Sequence, residues 1–319
     1  MKYLVLFSLF LVAAGLPALD KTTVVLDWTI NTNHTGLYVA QAKGWFADEG
    51  LQVEIQPAPE SGAAGLLASG RADFAISAQE EIVQSRAGGL KLTAVAAIIQ
   101  NNTSGFASRK SAGILRPKDF EGKRYGGWGS PLEEATIRNL MAADGGDFSK
   151  VKVLNLGDQD FIAATEKNVD FGWVFEGWEV KEAEVKGIPV DYIDMRKLSP
   201  VLNEYTPVYA ANQAFLDKNP GKAKAFLRAL SKGYQFAIDH PDDAAAILLK
   251  AAPELDPVLV KASQKYLAGQ YQAQAPRWGE FDAGRWNGFF QFLVGTGVVK
   301  AQADSNQYFT NAFLPPVKK

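Results

Sequence analysis

The chain has 319 residues, 47% of them hydrophobic, with 33 Lys and Arg against 35 Asp and Glu and a formal net charge of −2. Because a single hydrophobic core stops growing near about 250 to 300 residues, this length predicts two compact lobes. The balanced charge argues against a nucleic-acid partner, and the absence of Cys with only two His argues against thiolate or imidazole metal sites, so neither metal nor cofactor is expected.

The N-terminal segment is predicted to be a secretory signal peptide. Met1 and Lys2 precede an apolar run over 3–16, which is shorter than the roughly 20 residues of a membrane-spanning helix. Ala18 supplies a small residue for cleavage, so the signal is expected to cover 1–18 and the mature protein to be periplasmic. An uncleaved anchor helix is the alternative, whereas a lipoprotein would need a Cys that the chain lacks.

Strands and helices are predicted to alternate through the next two thirds of the chain. Apolar and β-branched runs predict strands over 23–28, 52–56, 73–77 and 92–100, separated by helices over 37–48, 63–69 and 80–87. A second series has strands over 123–127, 151–155 and 170–175 and helices over 132–143 and 160–167. This alternation predicts two α/β lobes with largely parallel sheets.

The C-terminal section is predicted to be helical, with helices over 214–216, 220–239, 242–250, 257–267 and 285–294. The pattern changes near 108–116 and 205–212, where we expect the chain to cross between lobes. The first lobe is therefore expected to comprise 19–112 and 209–319, and the second lobe 113–208.

Polar side chains follow several of the predicted strands. Asp27 and Trp28 end the first strand, Ser77 and Gln79 end the third, and Glu176 follows the strand over 170–175. In open α/β sheets ligands bind beyond the carboxyl ends of the strands. The sequence thus predicts a hinged solute-binding protein with its ligand in a cleft between the lobes.

Several motifs resemble those of type II periplasmic solute-binding proteins of ABC importers. They are Asp27-Trp28-Thr29, the run Asn31-Thr32-Asn33-His34-Thr35-Gly36-Leu37-Tyr38-Val39-Ala40, Lys43-Gly44-Trp45-Phe46, Gly50-Leu51 and Ser69-Gly70-Arg71-Ala72-Asp73-Phe74. Gly126-Gly127-Trp128-Gly129-Ser130-Pro131 and Phe175-Glu176-Gly177-Trp178 resemble the subgroup that binds thiamine-pyrimidine precursors, with its riboflavin-binding relatives and the yeast-type pyrimidine synthase. The resemblance spans the whole mature chain and implies a monomer that delivers a small heteroaromatic ligand to an ABC permease and its ATPase.

A flat ring of this kind is bound by stacking and by a few placed polar groups. The ligand-binding candidates are Trp28, Asn33, His34, Ser77, Gln79, Gly127, Trp128, Ser130, Trp173, Glu176 and Tyr205. Free N–H groups in the turn over 126–131 would favour an oxygen-rich ligand group, although the turn could equally be a tight strand-to-helix connection. Glu176 could accept ligand hydrogen bonds or cap a helix, and we expect Trp45, Trp178, Trp278 and Trp286 to be core residues.

Three other functions stay open from the sequence. Binders of the pyrimidine commonly carry a Tyr near Ala78, and its absence would widen the pocket for riboflavin. The synthase would require Lys and His where this chain has Ser77 and Glu81. We therefore expect the chain not to be an enzyme and to have no catalytic residues. Sulfonate, nitrate or taurine binding would require more cleft Arg. The pairs Glu80-Glu81 and Glu133-Glu134 are interpreted as helix starts that complement the helix dipole.

Overall fold

The computed structural model describes residues 18–157, 159–300 and 307–317. The predicted signal peptide, except for its last residue, lies outside the described residues. In the described part of the chain, no helix combines the length and the apolar character that crossing a membrane requires.

Ten strands in the described residues form two five-stranded sheets. In chain order they are β1 (Asp20–Val25), β2 (Leu51–Gln56), β3 (Phe74–Ser77), β4 (Leu92–Ala97), β5 (Ser104–Arg109), β6 (Arg124–Gly127), β7 (Lys152–Asn155), β8 (Phe171–Phe175), β9 (Val190–Asp194) and β10 (Val208–Asn212). The strand order is β2-β1-β3-β10-β4 in the first sheet and β7-β6-β8-β5-β9 in the second. The predicted architecture of two α/β lobes is therefore confirmed.

Thirteen α-helices lie in the described residues. They are α1 (Thr35–Ala42), α2 (Trp45–Asp48), α3 (Ala64–Ala68), α4 (Gln79–Ala87), α5 (Pro131–Ala143), α6 (Phe161–Lys167), α7 (Lys181–Val185), α8 (Met195–Leu198), α9 (Gln213–Lys218), α10 (Pro220–Asp239), α11 (Pro241–Ala251), α12 (Pro257–Ala268) and α13 (Ala283–Gly295). A π-helical turn, Glu176–Val180, follows β8. The predicted helix over 37–48 is divided at Gly44, whose φ of 73° breaks the helical backbone.

Each sheet contains one strand that runs against its neighbours. In the first sheet β1 is parallel to β2 and β3, whereas β10 is antiparallel to β3 and β4. In the second, β6 is parallel to β7 and β8, whereas β5 is antiparallel to β8 and β9. The parallel strands of each sheet present their carboxyl ends at one edge, where the loops before α4 and α5 and the turn after β8 are located.

The sheet assignments correct the predicted lobe boundaries. β5 belongs to the second sheet and β10 to the first, so the crossings lie over 98–103 and 195–207 rather than over 108–116 and 205–212. The expected boundary at 112/113 is therefore too late in the chain, and the boundary at 208/209 falls inside β10. Both strands were missed because their sequences, Ser-Gly-Phe-Ala-Ser-Arg and Val-Tyr-Ala-Ala-Asn, are rich in small residues with weak β propensity.

The first lobe has an aromatic core under its C-terminal helices. Phe74 and Phe226 stack with ring centroids 4.0 Å apart, and Tyr234 stacks on Trp278 at 4.3 Å. Trp278 and Trp286 are fully buried, as predicted, while Trp45 and Trp178 are partly buried beside the apolar clusters. These contacts fix the helices that carry the C-terminal side of the cleft.

Candidate functional site

Aromatic side chains lie where the two lobes meet, and three of them, Trp28, Trp128 and Trp173, belong to the predicted set. Trp28 follows β1 in the first lobe and lies 6.5 Å, centroid to centroid, from Phe175 at the end of β8 in the second lobe. Trp128 follows β6 and packs edge-on against Trp173 at 5.5 Å. Trp128 is 43% exposed although it is a large apolar ring. Such a surface at strand carboxyl ends suits a planar apolar ligand.

His34 is fully buried and forms a hydrogen bond with Asp27. Its Nδ1 accepts from the Asn31 backbone N–H at 3.2 Å, so the proton lies on Nε2, which donates to Asp27 Oδ1 at 2.8 Å. The side chain has no exposed surface and both nitrogens are hydrogen-bonded, so His34 holds the Asp27 carboxylate in place, and its contact with ligand stays a prediction. Asn33 Oδ1 is buried without a hydrogen-bond partner among the described residues and stays a candidate.

Four carboxyl groups gather at this end of the first lobe, and we call Asp27, Glu80, Glu81 and Glu204 the acidic cluster. Ser77 Oγ donates to Glu81 Oε2 at 2.6 Å. Ser130 Oγ, from the second lobe, donates to Glu80 Oε1 at 2.6 Å and so joins the lobes. Glu204 belongs to the second crossing segment and is 4% exposed.

The carboxyl groups of the cluster disfavour one another's charge. Burial raises the pKa of Glu80 to about 7 against the opposing hydrogen bond from Ser130, and the Glu81 charge adds to the rise. Burial, and after it the charges of Glu80 and Glu81, raise the pKa of Glu204 well above its usual range. Burial and the Asp27 charge also raise the pKa of Glu81. Groups with such shifted values are concentrated at functional sites.

The interpretation of Glu80-Glu81 and Glu133-Glu134 as simple helix starts is thus incomplete. Glu80 is only 8% exposed and Glu133 only 2%, and both bind groups outside their own helices. Part of this could have been predicted from the sequence. Adjacent carboxylates that directly follow an apolar strand lie at the carboxyl end of that strand as well as at the start of a helix.

The glycine-rich turn before α5 is not a free anion site. Glu133 accepts backbone N–H hydrogen bonds from Trp128 at 3.1 Å and from Gly129 and Ser130 at 2.7 Å, and Tyr125 Oη donates to it at 2.6 Å. The expectation that these N–H groups are available to ligand is therefore corrected, because an internal carboxylate already occupies them. Gly127 is buried beside the same carboxylate, and its ligand contact stays a prediction.

Glu176 begins the π-helical turn and reaches the C-terminal helices. Tyr266 Oη on α12 donates to Glu176 Oε2 at 2.8 Å, and burial followed by this hydrogen bond raises the pKa of Tyr266, so the hydroxyl stays protonated. Gly177 permits the close approach, because a Cβ there would lie 3.0 Å from Leu267 Cδ2. Glu176 is therefore an interlobe contact whose carboxylate stays half-buried at the cleft. Sequence reasoning missed Tyr266 and Phe175.

Gln79 and Tyr205 brace the crossing segments. Gln79 is fully buried, donates to the Trp286 carbonyl at 2.9 Å and accepts from the Tyr205 N–H at 3.0 Å. The Tyr205 ring is covered by the Arg285 guanidinium at 3.6 Å, and its oxygen accepts from the Asp282 N–H at 2.7 Å. Their ligand contact stays a prediction, and the polar groups named here are hydrogen-bonded within the fold.

The cations near the cleft are also engaged. Arg196 pairs with Asp194 at 3.2 Å, and Arg285 donates to the Gln100 carbonyl. Within the described ranges, no group of three or more His, Asp and Glu has an arrangement suited to a metal ion. The acidic cluster can thus accept hydrogen bonds from a ligand, but it has no arrangement for a metal.

A cavity of about 410 Å³ lies beside the turn, lined by side chains that include Arg138, Asn155 and Val298. It shares only Gly127 and Ser130 with the predicted ligand-binding set. We assign the site to the interlobe cleft instead, because the aromatic pairs and the acidic cluster converge there.

The sequence of the chain is similar to those of several known proteins. Residues 31–244 match the family model described as NMT1/THI5 like. The chain is 28% identical over 265 residues to the formylaminopyrimidine-binding protein of Halalkalibacterium halodurans, covering 79% of this chain and 77% of that protein. It is 24% identical over 304 residues to the 4-amino-5-hydroxymethyl-2-methylpyrimidine phosphate synthase of Legionella pneumophila, covering 93% of both chains.

The fold is also found among solved periplasmic proteins. The periplasmic aliphatic sulphonate binding protein SsuA from Escherichia coli superposes with a TM-score of 0.71 at 15% identity, covering 91% of this chain and 97% of that chain. At this identity the likeness establishes the fold, that of periplasmic binding proteins, and leaves the ligand to other observations.

Proposed function

The chain belongs to the NMT1/THI5-like family, and from that premise we propose that it is the solute-binding protein of an ABC importer for a thiamine pyrimidine precursor. The ligand would be of the formylaminopyrimidine or hydroxymethylpyrimidine type. The observation that carries the proposal is the joint presence of stacking rings, Trp28, Trp128 and Trp173, and of an acidic cluster at the same strand ends.

The acidic cluster favours a ring with N–H donors over an anion. Carboxyl oxygens accept hydrogen bonds from amino groups, whereas a sulfonate or nitrate has no N–H group to donate to them. Of the two nearby Arg side chains, Arg196 is paired with Asp194, and Arg285 donates through one terminal nitrogen to the Gln100 carbonyl while its Nε has no partner among the described residues. The proposal thus separates this chain from the sulfonate-binding proteins that share its fold.

Location and partners follow from the same proposal. A receptor of this kind works outside the cytoplasm as a monomer, consistent with the predicted signal peptide, and delivers its ligand to a permease driven by an ATPase. Opening and closing of the lobes about the segments over 98–103 and 195–207 would admit and release the ligand.

The synthase activity of some relatives is not proposed for this chain. Ser77 occupies the position where the resemblance would require the Lys that carries the synthase's cofactor, and its hydroxyl is bound to Glu81. Glu81 in turn stands where a His would be required. A carboxyl and a hydroxyl offer hydrogen bonds to a ligand but no amine for a covalent adduct.

Riboflavin is the second candidate. Ala78, between β3 and α4, carries no ring at the position where pyrimidine binders commonly have Tyr, and it is only partly buried. The smaller side chain leaves room for a larger fused ring beside Trp28.

Calorimetric titration tests the proposal. The mature protein, freed of bound ligand by unfolding and refolding, is titrated with formylaminopyrimidine, 4-amino-5-hydroxymethyl-2-methylpyrimidine, riboflavin and an alkanesulfonate. We expect a pyrimidine to bind at about 1 μM or tighter, which corresponds to about −8 kcal/mol, and the sulfonate not to bind. Binding of riboflavin alone would transfer the assignment to flavin uptake, and binding of the sulfonate alone would refute the proposal.

A further inference from the structure

Glu204 is a buried carboxyl group that the fold leaves unused. It is 4% exposed, and its Oε2 has no hydrogen-bond partner among the described residues. A buried polar atom without a partner costs free energy comparable to a lost hydrogen bond, so a natural protein retains one where a ligand or another bound group completes it.

The surroundings of Glu204 place it at the floor of the cleft. Its chain neighbours on both sides are fixed to the crossing segments, because Asn203 Oδ1 accepts from the Asn102 N–H at 2.8 Å and the Tyr205 N–H donates to Gln79. Its carboxyl is close enough to those of Glu80 and Glu81 for their charges to act on it. Glu80 is itself bound to Ser130 of the opposite lobe, so the group faces the junction of the two lobes.

Five further buried polar atoms in the second lobe lack partners in the described part of the chain. They are Ser104 Oγ, Ser108 Oγ and Arg109 Nε on β5, Thr136 Oγ1 on α5 and Trp173 Nε1 on β8. Phe106 and Trp173 are register partners in the antiparallel pair, and Ser104 lies two residues before Phe106 on the same face. Ser104 Oγ and Trp173 Nε1 therefore lie on the face of the second sheet that carries the buried Phe106 ring.

We propose that the Glu204 carboxyl group recognises an N=C–NH2 edge of the ligand ring and thereby makes the receptor selective for an amino-substituted heterocycle. This inference rests on the proposed function and specifies which ligand group is recognised and by which residue. Glu204 acts as a specificity residue beside the Glu80 and Glu81 carboxyls.

The chemistry of the pairing is a two-point hydrogen bond. A carboxyl group that keeps its proton has one donor and one acceptor, since its O–H can donate to the ring nitrogen while its carbonyl oxygen accepts from the amino group. The burial and like charges around Glu204 favour this neutral form. A ring without the amino group would leave the carbonyl oxygen unsatisfied, and this penalty is the source of the selectivity.

A cycle of two ligands and two proteins tests the inference. Calorimetry compares 4-amino-5-hydroxymethyl-2-methylpyrimidine with 5-hydroxymethyl-2-methylpyrimidine, which lacks the amino group, on the wild type and on Glu204→Leu. We expect the wild type to prefer the amino compound by at least about tenfold and Glu204→Leu to bind both with equal affinity. If Glu204 had only a structural role, Glu204→Leu would weaken the binding of both ligands by the same factor. That result would overturn the inference.

Two more variants complete the design. Glu204→Gln retains a donor and an acceptor and should retain the preference for the amino compound. Loss of that preference in Glu204→Gln would contradict two-point pairing, and this test holds even if Glu204→Leu does not fold. Glu184→Leu, whose side chain is 56% exposed on α7, is the matched control and should behave as the wild type. A wild type that binds pyrimidines without preferring the amino compound overturns this inference alone, whereas one that binds neither pyrimidine overturns the proposed function as well.

Discussion

Trp28 shows how one residue can belong to both lobes. It follows a strand of the first lobe, yet its ring packs against Phe175 of the second. A ligand held between the lobes would replace part of the contact between Trp28 and Phe175. The Trp28 ring would then pack against the ligand instead of against Phe175.

We therefore predict that Trp28→Ala weakens pyrimidine binding by about 1 to 3 kcal/mol, the usual loss for an aromatic anchor. Calorimetry at a fixed temperature measures it. Trp45→Ala is the control, because Trp45 packs against Phe236 in the first lobe and its loss should lower stability without changing affinity. Unchanged affinity in Trp28→Ala would remove this residue from the site.

Glu80 makes stability depend on pH. Its pKa rises from the usual 4.5 to about 7 in the folded protein, so the folded state holds the proton more tightly than the unfolded state. The stabilisation by that proton is complete below pH 4.5 and is lost as the pH rises through about 7.

Glu80→Gln removes this titration while keeping an oxygen that can accept from Ser130 and Gln84. We predict that the variant is more stable than the wild type by about 1 to 3 kcal/mol at pH 8, and that the difference shrinks below pH 5. Urea unfolding at both pH values measures the free energies. A difference that is independent of pH would show that the Glu80 proton does not contribute, while the exposed control Glu184→Gln should stay within about 0.5 kcal/mol throughout.

At the scale of elements, the turn between β6 and α5 depends on an internal carboxylate. Glu133 takes up the turn's N–H groups, and the space beside Gly127 is filled by that carboxylate: a Cβ at Gly127 would lie 1.8 Å from Glu133 Oε1. The turn holds Ser130 and Trp128 in place on the cleft side.

Gly127→Ala should accordingly destabilise the protein by about 1 to 3 kcal/mol, because the new methyl group displaces Glu133 from its donors. Gly221→Ala in α10 is the matched control: nothing lies within 4 Å of its Cβ position, and alanine should stabilise the helix by up to about 1 kcal/mol. Thermal unfolding compares them. Equal melting temperatures for wild type and Gly127→Ala would contradict the packing described for this turn.

The elements also show what the sequence could and could not predict. Strands β1 to β4 and β6 to β8 were predicted from the sequence, and the strand-end positions of Trp28, Ser77 and Glu176 followed from them. β5, β9 and β10 were missed; small residues weaken the strand signal of β5 and β10, and the lobe boundaries were misplaced with them. The Glu80–Ser130 and Glu176–Tyr266 contacts join residues 50 and 90 positions apart, so only the tertiary structure reveals them.

At the scale of the whole molecule, the lobes are joined at two sides of the cleft. Ser130 binds Glu80 on one side, and the π-helical turn binds α12 through Tyr266 on the other. The second side has a further contact, since Ser263 Oγ on α12 donates to the Gly177 carbonyl of the turn. Opening of the lobes would have to break these hydrogen bonds, each worth about 1 kcal/mol. The lobes would pivot about the segments over 98–103 and 195–207.

The central claim is that a pyrimidine ligand is held between the two lobes, and an interlobe distance tests it most directly. Spin labels are placed on Asn139→Cys in α5 and Lys224→Cys in α10, both exposed, and the chain has no other Cys to compete for the label. Pulsed electron paramagnetic resonance measures the label separation with and without 4-amino-5-hydroxymethyl-2-methylpyrimidine. We predict a shift of the distance distribution to a shorter, narrower peak with the ligand, and an identical distribution in both samples would contradict the account.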